Sequence, residues 1–259
     1  MDLGIRGRTA IVCGASKGLG LACATHLARE GADLVLVARS VDALESAAAE
    51  LSCAFGVGVR AVCADVASEA GRTAVLAACP APDILVNNGG GPPAGDFRKF
   101  TRADWIAALD LNMLSAIELI RQTIDPMIAR GFGRIVNITS AAMRVPLPIL
   151  PLSNGARGGL TAMVGGLAPT CAAHNVTINN LLPGPFDTDR LKQTIRAAAE
   201  HAGTSEAEMR AQRLGANPSR RAGQPEELGA MCAFLCSQWS GYITGQNILM
   251  DGGANPTAF

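Results

Sequence analysis

Residues 8–20 read RTAIVCGASKGLG, and their order decides the fold. Five apolar or β-branched residues, Thr9 to Cys13, form a run of strand length with no polar alternation, as expected of a strand covered on both faces. Glycines follow at positions 14, 18 and 20. Beyond them, apolar residues recur at helical spacing from about Gly18 to Glu30. A strand that enters a helix through a glycine-rich turn is the first half of a βαβ unit.

The same arrangement continues along the chain. ADLVLVA (32–38), GVRAVCAD (58–65), DILVNN (83–88), GRIVNIT (133–139), NVTINNLL (175–182) and QNILMDGG (246–253) read as strands. Helical segments fill the intervals, notably 42–53, 102–129 and 153–173. Strands separated by crossover helices predict an α/β fold: a single-domain, doubly wound parallel sheet of the Rossmann type over residues 1–259, with about seven strands and helices on both faces. The polar segment 185–217 interrupts the rhythm just after a strand. Its stretch HAGTSEAEMRAQR predicts a short exposed helix, in the position of a lid.

Composition excludes several classes of function. Lys plus Arg and Asp plus Glu both number 22, so the formal charge is zero and gives no electrostatic case for nucleic acid or an anionic membrane. Apolar residues are 49% of the chain, but no run approaches the roughly 20 residues that span a bilayer. The N-terminus carries no signal-peptide pattern, so a cytoplasmic protein is expected. The eight cysteines and three histidines are dispersed, which argues against a metal centre or a disulfide framework.

Gly14-Ala15-Ser16-Lys17-Gly18-Leu19-Gly20 spells GxxxGxG. Glycines suit a tight turn whose backbone must approach a diphosphate, and the helix N-terminus beyond offers free N–H groups and positive dipole. The spacing differs from the GxGxxG fingerprint, and a plain tight turn would also account for it. The end of the second strand sharpens the reading. An acid there would meet the ribose 2′-hydroxyl of NAD; this chain has Ala38-Arg39-Ser40. Arg39 can pair with a 2′-phosphate and Lys17 can add a second positive charge, which favours NADP(H) over NAD(H).

From Gly14 to Gly253 the chain resembles the short-chain dehydrogenases/reductases, in particular the ketoacyl-carrier-protein-reductase-like members. The resemblance rests on Asp65-Val66, on Asn87-Asn88-Gly89-Gly90 where the family has NNAG, on Asn112, and on Pro183-Gly184-Pro185-Phe186-Asp187-Thr188 for PGxxxT. Arg221–Glu227, Gly241–Gln246 and Asp251-Gly252-Gly253 complete it. It implies that Asp65 and Val66 meet the adenine. It places Asn88, Gly89 and Gly90 beside the cofactor and has Pro183, Gly184, Phe186 and Thr188 hold the nicotinamide carboxamide. Asn112 and Ser140 belong to the catalytic set, and the resemblance also implies a homotetramer or homodimer.

At the catalytic end the pattern breaks. The family has a tyrosine thirteen residues after the serine and a lysine four further on; here these positions hold Ser153 and Arg157. Gly158-Gly159-Leu160 keeps the register, so no gap displaces the pair. The chain's one tyrosine, Tyr242, belongs to the C-terminal signature. Tyrosine has a pKa of about 10 that a nearby ammonium can lower. A serine hydroxyl needs an adjacent base to ionise, and a guanidinium keeps its proton. Ser153 and Arg157 are therefore poor proton donors but good hydrogen-bond donors to developing negative charge.

Three functions fit this residue set. One is a reductase of an activated C=C, C=N or carbonyl group. The second is a non-redox lyase, isomerase or hydratase in which Arg157 and Ser140 hold an enolate. The third is a non-catalytic NADP(H)-binding protein. The family's dienoyl-CoA reductases are similar in placing serine at the tyrosine's position, but they keep the lysine and use an acid in the preceding loop. Here that loop, AAMRVPLPILPL (141–152), contains Arg144 and no acid. With Gly91-Pro92-Pro93 it is expected to wall an apolar pocket for a small-molecule substrate, with Arg144 within reach of an anionic substituent.

Overall fold

In the computed structural model, which describes residues 1–256, the apolar runs become seven strands of one parallel sheet. Residues 257–259 of the expected domain lie outside the described residues. The chain runs β1 (Thr9–Cys13), α1 (Gly18–Arg29), β2 (Asp33–Ala38), α2 (Val41–Phe55), β3 (Val59–Cys63), α3 (Glu69–Ala78) and β4 (Ile84–Asn87). It continues with α4 (Arg102–Leu109), α5 (Ser115–Arg130), β5 (Gly133–Ile138), α6 (Pro151–Cys171) and β6 (Val176–Pro183). The last elements are α7 (Asp189–Ala202), α8 (Glu206–Gly215), α9 (Pro225–Leu235) and β7 (Asn247–Met250).

The strand order is β3-β2-β1-β4-β5-β6-β7. The chain winds outward from β1 in both directions, so α1, α2 and α9 cover one face of the sheet and α3, α5 and α6 the other. This is the doubly wound sheet expected from the sequence. Burial on both faces explains why β5 is buried at all six positions and why the strands carry no polar alternation. The loops after β1 and β4 lead to helices on opposite faces, which opens a crevice above the carboxyl ends of these neighbouring strands. None of the described helices is long and apolar enough to cross a membrane.

Three departures from the expected elements bear on the site. The helix expected over 102–129 is interrupted by a π-helical segment, Asp110–Leu114, and single-turn π segments accommodate functional side chains in otherwise regular helices. The helix expected from 153 begins at Pro151, which tolerates a first-turn position because its missing N–H has no helical partner there. Ser153 thus sits inside the first turn. The polar segment 185–217 holds two helices rather than one. In α7, Leu191, Ile195 and Ala199 recur every four residues and are buried, the first two against Leu214 of α8 and Ala222; this helical period was readable but lies among polar residues.

Gly20 sets the turn between β1 and α1, because a Cβ there would collide with the Gly14 carbonyl. At Gly90 a Cβ would meet nothing within 4 Å. Gly20→Ala is therefore expected to lower stability by about 1–3 kcal/mol through overpacking, whereas Gly90→Ala should change it by less than about 0.5 kcal/mol. Urea unfolding of both variants checks the contrast; equal losses would contradict it.

Candidate active site

The crevice begins with the turn after β1. Gly14 and Gly18 have φ of 61° and 59°, the left-handed region that glycine enters without a Cβ penalty. The Ala15 N–H donates to Val37 O at 3.1 Å, which ties the turn to the end of β2. Lys17 is the N-cap residue of α1 but caps no N–H with its side chain, so the first helical N–H groups remain available to an anion. Ser16 and Leu19 complete the loop, with Leu19 packed against the core.

Across the crevice stand Asn88 and Thr188. Asn88 Nδ2 donates to Gly14 O at 3.5 Å, and a Cβ on Gly18 would lie 3.6 Å from the Thr188 methyl. The open space at Gly90 and the narrow gap at Gly18 form a cradle whose floor is backbone. These residues fit a dinucleotide. Arg39 and Ser40 are exposed at the end of β2. Lys17 pairs elsewhere, with Nζ 3.3 Å from Asp189 Oδ2. Asp65 Oδ1 accepts from Ala67 N–H, and Val66 lines the crevice floor beside Asn88 and Gly89. Gly184 N–H donates to Met250 O at 2.9 Å, fixing the turn after Pro183. Phe186 buries its ring against Gly223, so only its backbone faces the crevice.

At the catalytic end, Ser140 follows β5 and its Oγ accepts from Ala142 N–H at 3.2 Å. That bond leaves the hydroxyl proton free to donate. Ser153 and Arg157 are one turn apart on α6, hence on one helix face, and both are buried. The Arg157 guanidinium donates through Nη1 to Ile138 O at 2.7 Å and Thr139 O at 2.6 Å, and through Nη2 to Gly89 O at 3.4 Å. It therefore joins α6 to the ends of β4 and β5. Burial, followed by the charge of Arg190, pulls its pKa down to about 10, so it remains a cation at neutral pH.

A cavity of about 20 Å³ lies beneath, lined by Arg157, Asn112, Ser115, Asn87 and Gly89 among others. Asn112 lies in the π-helical segment and donates weakly to Ala108 O at 3.4 Å, while its Oδ1 has no partner. No carboxylate, phenol or imidazole lines this cavity. The one thiol there, Cys13, is pushed up to about 12 by burial and is no acid at neutral pH. Tyr242 is fully exposed before β7, at the amino ends of the strands, whereas the crevice lies at their carboxyl ends.

Two features escaped the sequence reading. The first is a row of asparagines, Asn87, Asn137, Asn180 and Asn247, in direct register on β4 to β7. Each side-chain amide donates to the next oxygen, at 2.9, 3.0 and 2.8 Å. The row ends at Asn87 Oδ1, which has no partner and opens into the cavity. An asparagine in each of these strands was visible, but the register that pairs them was not. The second is Arg190 on α7, which donates to Pro92 O at 3.0 Å. Beside this contact, Gly95 N–H donates to Ile149 O at 2.9 Å, and Val145, Leu147 and Ile149 are exposed.

A family model described as enoyl-(acyl carrier protein) reductase matches residues 14–255. Gluconate 5-dehydrogenase of Gluconobacter oxydans is 32% identical over 253 residues, covering 96% of this chain and 95% of that protein. The NADPH-dependent reductase BacG of Bacillus subtilis is 30% identical over 252 residues, covering 95% and 97%. The structure of L-sorbose reductase from Gluconobacter frateurii, complexed with NADPH and L-sorbose, superposes with a TM-score of 0.94 at 34% identity and covers 99% of this chain and 100% of that one. With its sheet order, its glycine turn and the matches that span nearly its whole length, the chain belongs to the short-chain dehydrogenase/reductase family of oxidoreductases.

Proposed function

We propose that the protein is an NADP(H)-dependent reductase with a divergent catalytic set, acting on an activated C=C, C=N or carbonyl group of a small substrate with an apolar body. The observation that carries this reading is the buried Arg157 guanidinium at the position of the family's lysine, one turn from Ser153 and bonded to the ends of β4 and β5. The cofactor would lie along Gly14 to Gly20, with Arg39 and Ser40 at its 2′-phosphate and Asp65 and Val66 at its adenine. Asn88, Gly89, Gly90 and Arg157 would flank its nicotinamide ribose, and Pro183, Gly184, Thr188 and the Phe186 backbone its carboxamide. When bound, the nicotinamide supplies a hydride.

The protein's own groups do the rest. A C=C bond conjugated to a carbonyl, once reduced at its β-carbon, develops negative charge on the carbonyl oxygen. The Ser140 and Ser153 hydroxyls donate hydrogen bonds to that oxygen, and the fixed charge of Arg157 stabilises it from below. Its α-carbon takes a proton from water, so the absence of a phenol does not stop the reaction. An iminium ion already carries its proton and needs no donor. A simple ketone does need one, and should react slowly. The cavity under Arg157 has room for one water, with the free oxygens of Asn112 and Asn87 as its acceptors. The open glycine face of α6 at Gly165 and Gly166 supports a homodimer or homotetramer, working in the cytoplasm.

NADPH should bind about 10–100-fold more tightly than NADH, and Arg39→Ala should remove most of the difference, since one charge-assisted bond contributes about 1.5–3 kcal/mol. Fluorescence titration checks both; equal affinities would remove the cofactor assignment. Mixed with NADPH and a panel of enones, cyclic imines and simple ketones, the protein should consume NADPH fastest with the enones and imines. Because Arg157 titrates only near pH 10, that rate should stay flat from about pH 6 to 9 and fall above, where the cation is lost. NADPH binding without consumption on any acceptor would favour a non-catalytic role, and substrate turnover without nicotinamide change a non-redox one.

A further inference from the structure

Two guanidinium groups meet the turn Gly89–Pro92 from opposite sides. Arg157 reaches it from α6, 3.4 Å from Gly89 O, and Arg190 reaches it from the lid helix α7, 3.0 Å from Pro92 O. Arg190 also lies against Gly91, where a Cβ would be 3.6 Å from its Nη2. Both hydrogen-bond only to backbone carbonyls, and among the described residues neither forms an ion pair. The acids nearest in the chain are engaged elsewhere: Asp187 by Arg210 at 3.0 Å and Asp189 by Lys17 at 3.3 Å.

An unpaired cation is unfavourable in proportion to its burial, and of the two Arg157 is buried while Arg190 is exposed. Arg157 is buried and is destabilised further by Arg190. Carbonyl dipoles offset part of that cost but supply no charge. A planar anion between the two forks would supply it, since guanidinium groups match carboxylates through parallel hydrogen bonds. In the reductase reading the cofactor's diphosphate would lie at the glycine turn after β1. Three residues beyond Pro92, the same segment meets the apolar loop 143–152, through Gly95 N–H to Ile149 O at 2.9 Å.

We infer that Arg190 and Arg157 form an anion clamp across the Gly89–Pro92 turn and that the substrate carries a carboxylate beside its reducible group, with an apolar body against Val145, Leu147 and Ile149. Arg190 is the specificity-determining residue of this clamp, because it sits on the lid and its hydrogen bond to Pro92 can be exchanged for one to the ligand. This inference rests on the reductase reading above.

Benzylidenepyruvate and its methyl ester test it, since they share the enone and the phenyl ring and differ in one charge. With the protein–NADPH complex, the acid should give a kcat/KM at least about tenfold above the ester's. Arg190→Met should cut the acid-to-ester ratio about tenfold or more, with NADPH affinity retained, and Arg190→Lys should recover part of the ratio. If neither compound turns over, quenching of bound-NADPH fluorescence gives the two affinities, and the same ratios apply. Equal handling of acid and ester by the wild type would overturn the clamp, as would an Arg190→Met effect on NADPH affinity alone, which would assign Arg190 to the cofactor. Failure of NADPH to bind at all would instead remove the reductase reading, so the two failures are separable.

Discussion

A parallel sheet that winds outward from an interior strand cannot bring the loops on either side of the reversal together. Here β1 pairs with β2 on one side and β4 on the other, and the loops after β1 and β4 leave toward opposite faces. The crevice between them is a consequence of connectivity rather than of any side chain. Its walls must be narrow backbone, which is why Gly14, Gly18 and Gly20 stand on one side and Gly89, Gly90 and Gly91 on the other. Asn88 bridges the gap from β4 to the Gly14 carbonyl.

Arg157 finishes that construction. A lysine there would carry a compact charge on a flexible stem; a guanidinium is planar and has several fixed donors. Its two bonds to the end of β5 and its longer bond to Gly89 hold β5, the turn after β4 and α6 in one arrangement. The cation thereby acts as a structural fastener as well as a fixed positive charge in the crevice. The asparagine row beneath it provides a second polar constraint within an otherwise apolar layer. Each amide satisfies its neighbour, and only the terminal oxygen at Asn87 is left to the cavity. A buried polar chain of this kind favours one strand register, because a slip by one residue would leave amides unpaired.

The lid and the Pro/aliphatic loop act on a different scale. They contribute an exposed apolar rim and a cation, Arg190, rather than rigid floor. The rim of the crevice is therefore defined by surfaces that the scaffold presents, while the glycine turn after β1 is defined by the scaffold itself.

Sequence order alone determined the parallel, doubly wound sheet, because strand-length apolar runs alternating with helical segments admit few other packings. It also located the glycine turn, Arg39, and the replacement of tyrosine and lysine by Ser153 and Arg157, since these are local in the chain. What pairs across the fold required coordinates. The π-helical segment around Asn112, the four-asparagine row and the approach of Arg190 to Arg157 depend on register and helix rotation between segments up to 160 residues apart, from Asn87 to Asn247. A local pattern carries no information about which carbonyl a distant guanidinium will meet. Lys17 makes the same point: its charge was visible in the sequence, but its partner, Asp189, was set by the packing of the lid against the turn.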